Sequence, residues 1–301
     1  MSQKTRLVSI IIPAYNAAPF IAETIQSLCN QTYTHWEAII VNDGSTDNTA
    51  TICDSITDKR VSTIHQSNTG VATARNNGLA LAKGDYIVFF DADDLMAPDF
   101  LKARLEVLKN NPELGYAGGL VETFPVKETQ KIAAAADPEN EILFFNPGYV
   151  TIPSNYVFKK EVLIKNNLSF NKELSSSADR FFVLEVSKFA KGENTHDEKA
   201  KLLYRISPQS MSNNVNPNLI IDNEKFYYQL KKKNLLPASQ LSKFKSIYFL
   251  SLAKGFGIVR YWRRVLKYLA MSFINHPVLF AGNMSRSFFR FSSFRTLSKG
   301  A

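Results

Sequence analysis

The sequence is poor in the residues that build small metal and redox centres. Cysteine occurs twice in 301 residues, at Cys29 and Cys53, and histidine four times. Neither cysteine belongs to a CxxC pair or a Cys/His cluster, which argues against a zinc site and leaves two reduced core thiols, as in a reducing compartment. No run reaches the roughly 18 apolar residues of a membrane-spanning helix. The nearest, from Leu266 to Gly282, is interrupted by Lys267, Asn275, His276 and Pro277. The opening MSQKTRLVSIIIP has an apolar run of about six residues, too short for a signal peptide and read instead as a buried strand. GxGxxG, GxxxxGK[ST] and GxSxG are all missing, which excludes dinucleotide oxidoreduction, P-loop phosphoryl transfer and a nucleophile elbow. Without a glycine cradle, any phosphate bound here has to be held through a metal.

Acid is missing from one end of the chain. Residues 225–301 hold 15 Lys and Arg and no Asp or Glu, leaving 21 basic and 27 acidic side chains, a net charge of −6, in the preceding 224 residues. An acidic body with a basic tail implies two jobs. The reading is a domain over 1–222 and a basic, aromatic helical extension over 223–301. Hydrophobic content of 45% and charged content of 21% are ordinary for a globular core.

The first 125 residues alternate strand and helix patterns. Strands are expected at Leu7 to Ile12, Ala38 to Val41, Val61 to His65, Tyr86 to Phe90 and Gly115 to Val121. Helices are expected from Phe20 to Leu28, after an Asp47 cap, from Val71 to Leu81, and from Pro98 to about Leu108. Such βαβ units imply an α/β fold with a mostly parallel sheet covered on both faces, and ligands at the carboxyl ends of its strands. Residues 123–147 lack periodicity and read as a surface excursion. Val150 to Phe158 reads as a further strand, Asp179 to Phe189 as a helix and Lys201 to Ile206 as a late strand.

Four strand ends carry polar loops: PAYN (Pro13 to Asn16), NDGSTDNT (Asn42 to Thr49), NTGVATARNNG (Asn68 to Gly78) and DADD (Asp91 to Asp94). Their convergence is the pattern of a ligand cleft. Asp91 and Asp93, two apart on an extended segment, point the same way and repel unless a cation lies between them. Oxygen-only ligands suit Mg²⁺ or Mn²⁺ bridging to a phosphate. The competing reading of the motif is a helix N-terminus, with Asp94 favoured by the positive end of the helix near Pro98. Asp43 is placed to accept the imide N–H of a base, or else belongs to a turn whose cap is Asp47. Tyr15 offers a flat face for stacking on a base, or is a rim tyrosine without a role. Arg75, alone among Val, Ala and Leu, faces either solvent or an anion.

The strings VSIIIPAYNA, IIVNDGSTDNT, NTGVATARNNGLALAKGDYIVFFDADD and FNKELSSSADRFF resemble the family 2 glycosyltransferases of GT-A fold. The resemblance is close over about residues 7–110 and weaker to about 212. It implies an inverting transfer of sugar from a nucleoside diphosphate, UDP favoured, to a hydroxyl of a glycan or lipid-linked acceptor in surface polysaccharide or glycan assembly. Pro13, Tyr15, Asn16 and Asp43 would hold the nucleoside, Arg75 would lie near base or diphosphate, and Asp91 would take the ribose. Asp93, with Asp91, would bind the Mn²⁺ or Mg²⁺ of a DXD motif, and Asp179 would be the catalytic base. Two positions depart from the pattern. Ala178 stands where many relatives have an acid; Arg205 is expected among the nucleotide-sugar-binding residues, and Ser207, two residues on, stands where many have a diphosphate-contacting His. The alternative reading is a non-catalytic nucleotide-sugar-binding subunit of a membrane-bound complex.

In the tail, Val259, Trp262, Leu266, Leu269 and Phe273 recur at steps of three and four, with Arg260, Arg263, Arg264 and Lys267 on the complementary side. SRSFFRFSSFR (Ser285 to Arg295) mixes Phe with Arg again. This pattern predicts a peripheral segment on an anionic membrane surface, on the cytoplasmic face, and competes with a helix packed on the acidic body. No recognised nucleic-acid-binding module accompanies the basic charge.

Overall fold

The computed structural model describes residues 6–125, 131–134, 149–150, 152–206, 217–237 and 240–288. They fall into two compact units, one within residues 1–142 and 147–206, the other within 143–146 and 207–301. A helix at Pro217–Lys232 crosses the 222/223 boundary drawn from charge and belongs to the second unit.

The first unit is the expected α/β structure. Strands β1 (Val8–Ala14), β2 (Trp36–Asp43), β3 (Val61–Gln66) and β4 (Tyr86–Phe89) pair in parallel in the order β4-β1-β2-β3. Helices α1 (Ile21–Cys29), α2 (Thr49–Asp54) and α3 (Val71–Leu81) connect them. β1 and β4 are almost continuously apolar because both faces are covered. Helix α1 turns Ile21, Thr24, Ile25 and Leu28 inward. Helix α3 lies very close to the sheet: a Cβ on Gly78 would come 2.3 Å from the Ile11 side chain. Only glycine permits that approach, which brings the next turn back, with Arg75, to the strand ends. Cys53 is buried in α2, where burial pushes its thiol up to about 11, as expected of an inert core cysteine.

Further along come β5 (Leu95–Met96), α4 (Phe100–Asn110), β6 (Leu114–Gly118), β7 (Leu120–Phe124), β8 (Lys131–Ala134), β9 (Tyr149–Val150), β10 (Val157–Lys159), α5 (Lys160–Lys165), α6 (Ala178–Ser187), β11 (Lys191–Asn194) and β12 (Leu202–Arg205). The main sheet runs β11-β6-β10-β4-β1-β2-β3, with β10 antiparallel to both neighbours. A second sheet runs β5-β12-β7-β8-β9.

Several expectations are corrected. The single strand over Gly115 to Val121 is two strands on different sheets, separated at Gly119. A Cβ there would meet the Arg104 guanidinium at 2.7 Å. The strand over Val150 to Phe158 is broken by a 3₁₀ turn at Pro153–Asn155, since proline favours a turn's first position and cannot donate to a ladder. Part of the 123–147 excursion is strand β8, paired antiparallel with β7; residues 126–130 and 135–148 lie outside the described residues. Helix α4 begins at Phe100, two residues after Pro98. Asn48, not Asp47, precedes α2, although the Asp47 carboxylate still accepts the Thr49 N–H at 2.9 Å.

The second unit contains α7 (Pro217–Lys232), α8 (Leu241–Ile258), α9 (Trp262–Asn275) and α10 (Pro277–Phe288). Among the described residues no helix is long and apolar enough to cross a membrane. Most of the Ser285 to Arg295 stretch, and Ser207, lie outside them.

Candidate active site

The carboxyl ends of β1, β2 and β4 open on one edge of the sheet, and the polar loops meet there. The first two are stitched together. The Asn16 N–H donates to Ser45 Oγ at 3.0 Å, and Asn16 Oδ1 accepts the Thr46 N–H at 2.8 Å. Asn16 takes a left-handed φ of 50°, which asparagine tolerates. Pro13 is half-buried behind it, and Tyr15 is 51% exposed on the rim. Gly44 has a φ of 71° and lies so close to Asn68 that a Cβ would come 2.6 Å from its nitrogen.

Asp43 is buried at this junction. Its Oδ1 accepts Gln66 Nε2 at 2.8 Å and the Thr69 N–H at 2.9 Å; its Oδ2 accepts the Gly70 N–H at 2.8 Å. The carboxylate thus pins the third loop to the second. Any base N–H approaching it shares an acceptor already occupied by main-chain donors.

Helix α3 sends three consecutive side chains to the end of β3, to the segment at Phe170, and to the DADD loop together with α6. Asn77 donates to Gln66 at 2.7 Å. Asn76 exchanges two hydrogen bonds with the Phe170 backbone, at 2.9 and 2.8 Å. Arg75, its side chain only 3% exposed, forks between two carboxylates: Nη1 donates to Asp179 at 2.5 Å and Nη2 to Asp91 at 2.7 Å. One guanidinium therefore joins two carboxylates, one of them 104 positions from Arg75 in the chain. Asp179 reaches this point on the first turn of α6, which is anchored by Phe182. That ring stacks on Phe170 at 4.2 Å and meets Phe89 edge-on at 5.3 Å. Ser177 precedes the helix, so Asp179 is inside the first turn rather than its cap. Burial raises the Asp179 carboxyl above the ordinary range, with Arg75 pulling the other way and Asp91 adding to the rise.

The DADD loop is braced from three sides. Thr24 Oγ donates to the carbonyls of Ala92 and Asp94 at 2.9 and 3.0 Å. The Asp91 N–H donates to Ser154 Oγ at 3.0 Å. Arg205 bonds the Asp93 carbonyl through Nε at 2.7 Å and Glu23 through Nη2 at 2.6 Å, and its own N–H reaches Asp94 at 3.0 Å. The Arg205 guanidinium lies over the rings of Phe20 and Phe124, at 5.0 and 4.5 Å. Asp94 is wholly buried and well short of the α4 N-terminus, so its burial replaces the helix-end alternative.

The aspartates are charged at a cost. Burial, then repulsion from Asp91, pushes Asp93 up to about 6. Burial, then Asp91 and Asp93, raises Asp94 well above the ordinary value, and its Oδ2 has no hydrogen-bond partner among the described residues. No group of three or more His, Cys, Asp or Glu is arranged to hold a metal ion among the described residues. Asp93 and Asp91 are hard oxygen donors in mutual repulsion. They fit a divalent cation whose remaining ligands come from a bound diphosphate and water. Buried Arg104 donates to the carbonyls of Asn155, Phe100 and Ala200, tying α4 to the turn that supplies Ser154.

The expected residues therefore fall into groups: Arg75, Asp91 and Asp179; Asp93 with Arg205; Asn16 and Asp43 in their stitched loops; Pro13 and Tyr15 at the rim. Residues that escaped the sequence reading are the braces Thr24, Ser154, Gln66 and Glu23. Thr24 carried a signal, being with Ser27 one of two polar residues on the buried side of α1.

The sequence model of glycosyl transferase family 2 matches residues 9–166. The uncharacterized glycosyltransferase EpsJ of Bacillus subtilis (strain 168) is 31% identical over 218 residues, 68% of this chain and 63% of EpsJ, so the chain spans less than two thirds of that relative. The putative teichuronic acid biosynthesis glycosyltransferase TuaG of the same organism is 42% identical over 105 residues, 34% of this chain and 42% of TuaG. S. aureus TarS 1-349 in complex with UDP-GlcNAc shares the fold with a TM-score of 0.64 at 18% identity, over 88% of this chain and 79% of that one. The mannosyltransferase PcManGT from Pyrobaculum calidifontis, in complex with GDP-Man and Mn²⁺, shares it with a TM-score of 0.60 at 16% identity, over 99% and 84%.

Proposed function

The chain belongs to glycosyl transferase family 2, and from that premise we propose that it is an inverting, metal-assisted transferase. The donor is a nucleoside-diphosphate sugar, UDP favoured. The acceptor is a hydroxyl of a glycan or lipid-linked molecule, reached at the cytoplasmic face of a membrane during surface polysaccharide or glycan assembly. The observation that carries this reading is the Arg75 fork, which gathers Asp91 from the DADD loop and Asp179 from α6 at the mouth of the nucleotide loops.

Asp179 accepts the acceptor's hydroxyl proton as that oxygen forms its bond to the anomeric carbon. The bond from that carbon to the diphosphate oxygen breaks with its electron pair, and the nucleoside diphosphate leaves. A single displacement inverts the anomeric configuration. A raised Asp179 suits a base working near neutral pH. Tyr15 stacks on the base, Asn16 and Pro13 shape its pocket, and Asp43 orients the loops around it. Arg75 and Arg205 act through the carboxylates and backbone they hold. Asp93, with Asp91, would hold the Mn²⁺ or Mg²⁺, which when bound offsets charge on the departing diphosphate. TarS, in complex with UDP-GlcNAc, and PcManGT, in complex with GDP-Man and Mn²⁺, share this fold, which supports a nucleotide-sugar donor and a divalent cation here.

The test is a donor panel. The purified chain is incubated with UDP- and GDP-sugars and Mn²⁺, with and without EDTA, and nucleoside diphosphate release is followed. Slow, EDTA-sensitive release from one donor is expected. No release or protection by any donor would overturn the reading.

A further inference from the structure

The helical unit has a core of its own, and α9 contributes one side to it. Tyr268 is 1% exposed and stacks on Phe249 and Phe256 of α8, each with ring centroids 5.8 Å apart. Ser272, one turn on, donates to the Ser246 carbonyl at 2.7 Å. At 100° per residue, Trp262, Leu266, Leu269 and Phe273 share a different side of this helix. That side stays open: Trp262, Leu266 and Phe273 are 63%, 69% and 51% exposed, and Val278 at the start of α10 80%. Single exposed apolar residues are ordinary, but a large aromatic and aliphatic row is not. Arg263 and Lys267, both exposed, lie along the far edge of the row. Arg264 points further round and pairs with Glu224 at 2.9 Å. The helix therefore has three sectors: packed, open apolar and basic.

We propose that this open sector of α9 binds an anionic lipid bilayer, with Trp262, Leu266 and Phe273 entering the acyl boundary and Arg263 and Lys267 meeting headgroup phosphates. Charge selects this occupant. Residues 225–301 carry 15 basic and no acidic side chains, so a second copy of the unit would set like charge against like, whereas an anionic surface complements all of it. Each basic side chain drawn to such a surface strengthens binding roughly fivefold, and the apolar row supplies the buried area that makes an interfacial helix stay. The inference deepens the membrane-side reading above and rests on it. Vesicle binding needs no turnover, so its failure would leave the transfer reaction standing, and failure of the donor panel would leave vesicle binding standing.

The experiment uses the full chain with phosphatidylcholine vesicles, with and without about a third phosphatidylglycerol. Sedimentation measures binding, and tryptophan emission reports the site. The chain has two tryptophans, and Trp36 is buried at 2% exposure, so a lipid-induced change comes from Trp262. Expected are binding at least tenfold tighter to the anionic vesicles, weakening with added salt, and a blue shift of the emission. Leu266→Glu with Phe273→Glu should lose binding at least tenfold with the far-ultraviolet circular dichroism unchanged, because both residues are already exposed. Arg263→Glu with Lys267→Glu should remove the preference for anionic lipid. Equal binding to both vesicle types, an unshifted emission, or wild-type binding by either double variant would overturn the proposal. So would a dimer that Leu266→Glu with Phe273→Glu dissociates while vesicles leave the emission unchanged.

Discussion

Asp93→Asn should make the metal-free protein more stable while removing its metal-dependent activity. Burial and the neighbouring Asp91 lift the Asp93 carboxyl from 3.8 to about 6 in the folded chain. A rise of that size corresponds to about 3 kcal/mol of destabilisation at pH 7. The asparagine amide is itself polar and partly buried, and solvent reaches the site, so the net gain is nearer 1–2 kcal/mol. For a domain of this size that is a rise in Tm of roughly 3–6 °C. The pH dependence has a definite sign. Between about 4 and about 6 the folded protein binds a proton at Asp93 that the unfolded chain releases, so wild-type stability falls as pH rises through that window and is flat above it. The advantage of the variant is therefore full at pH 7 and shrinks as the pH is lowered from 6 towards 4. Calorimetry in EDTA at several pH values measures it directly. An unchanged or lower Tm at pH 7, or an advantage that does not depend on pH, would refute the idea that these carboxylates repel in the absence of a cation.

Asp179→Asn should lower kcat by about 10²-fold or more with donor affinity retained, the scale of a lost general base; steady-state kinetics with donor titration checks it, and a collapse of donor affinity instead would make Asp179 a binding residue. Arg75→Met should cost about 3–5 kcal/mol in urea denaturation, because it leaves Asp91 and Asp179 near one another without their shared counter-charge. Gly78→Ala should cost about 1–3 kcal/mol in the same assay, since its Cβ would meet Ile11 at 2.3 Å.

What the sequence made legible follows from periodicity. Apolar runs such as SIIIP and YIVFF fix β1 and β4, and parallel βαβ pairing then puts PAYN, NDGSTDNT and DADD on one edge without further information. The second sheet was not legible, because its division from the first depends on the side-chain packing of Arg104 and Thr195 at Gly119, which leaves no local pattern. At the candidate site, the sequence names residues that converge but not their hydrogen-bond partners. From the sequence Arg75 faces either solvent or an anion; its anions are two carboxylates of the chain itself, one of them 104 residues away. The tail shows the reverse case. The heptad-like row at Trp262, Leu266 and Phe273 was legible, whereas the side that packs, Tyr268 and Ser272, was masked by its polar atoms.

We propose sugar transfer by single displacement where the DADD loop and α6 bring Asp91, Asp93 and Asp179 together. Its most direct test is proton NMR of an α-linked UDP-sugar incubated with the chain, Mn²⁺ and either water or a hydroxyl acceptor, read before the free sugar mutarotates. UDP release with a β-configured first product is expected, abolished by EDTA and by Asp93→Ala. An α-configured first product, or release undiminished in EDTA, would contradict it.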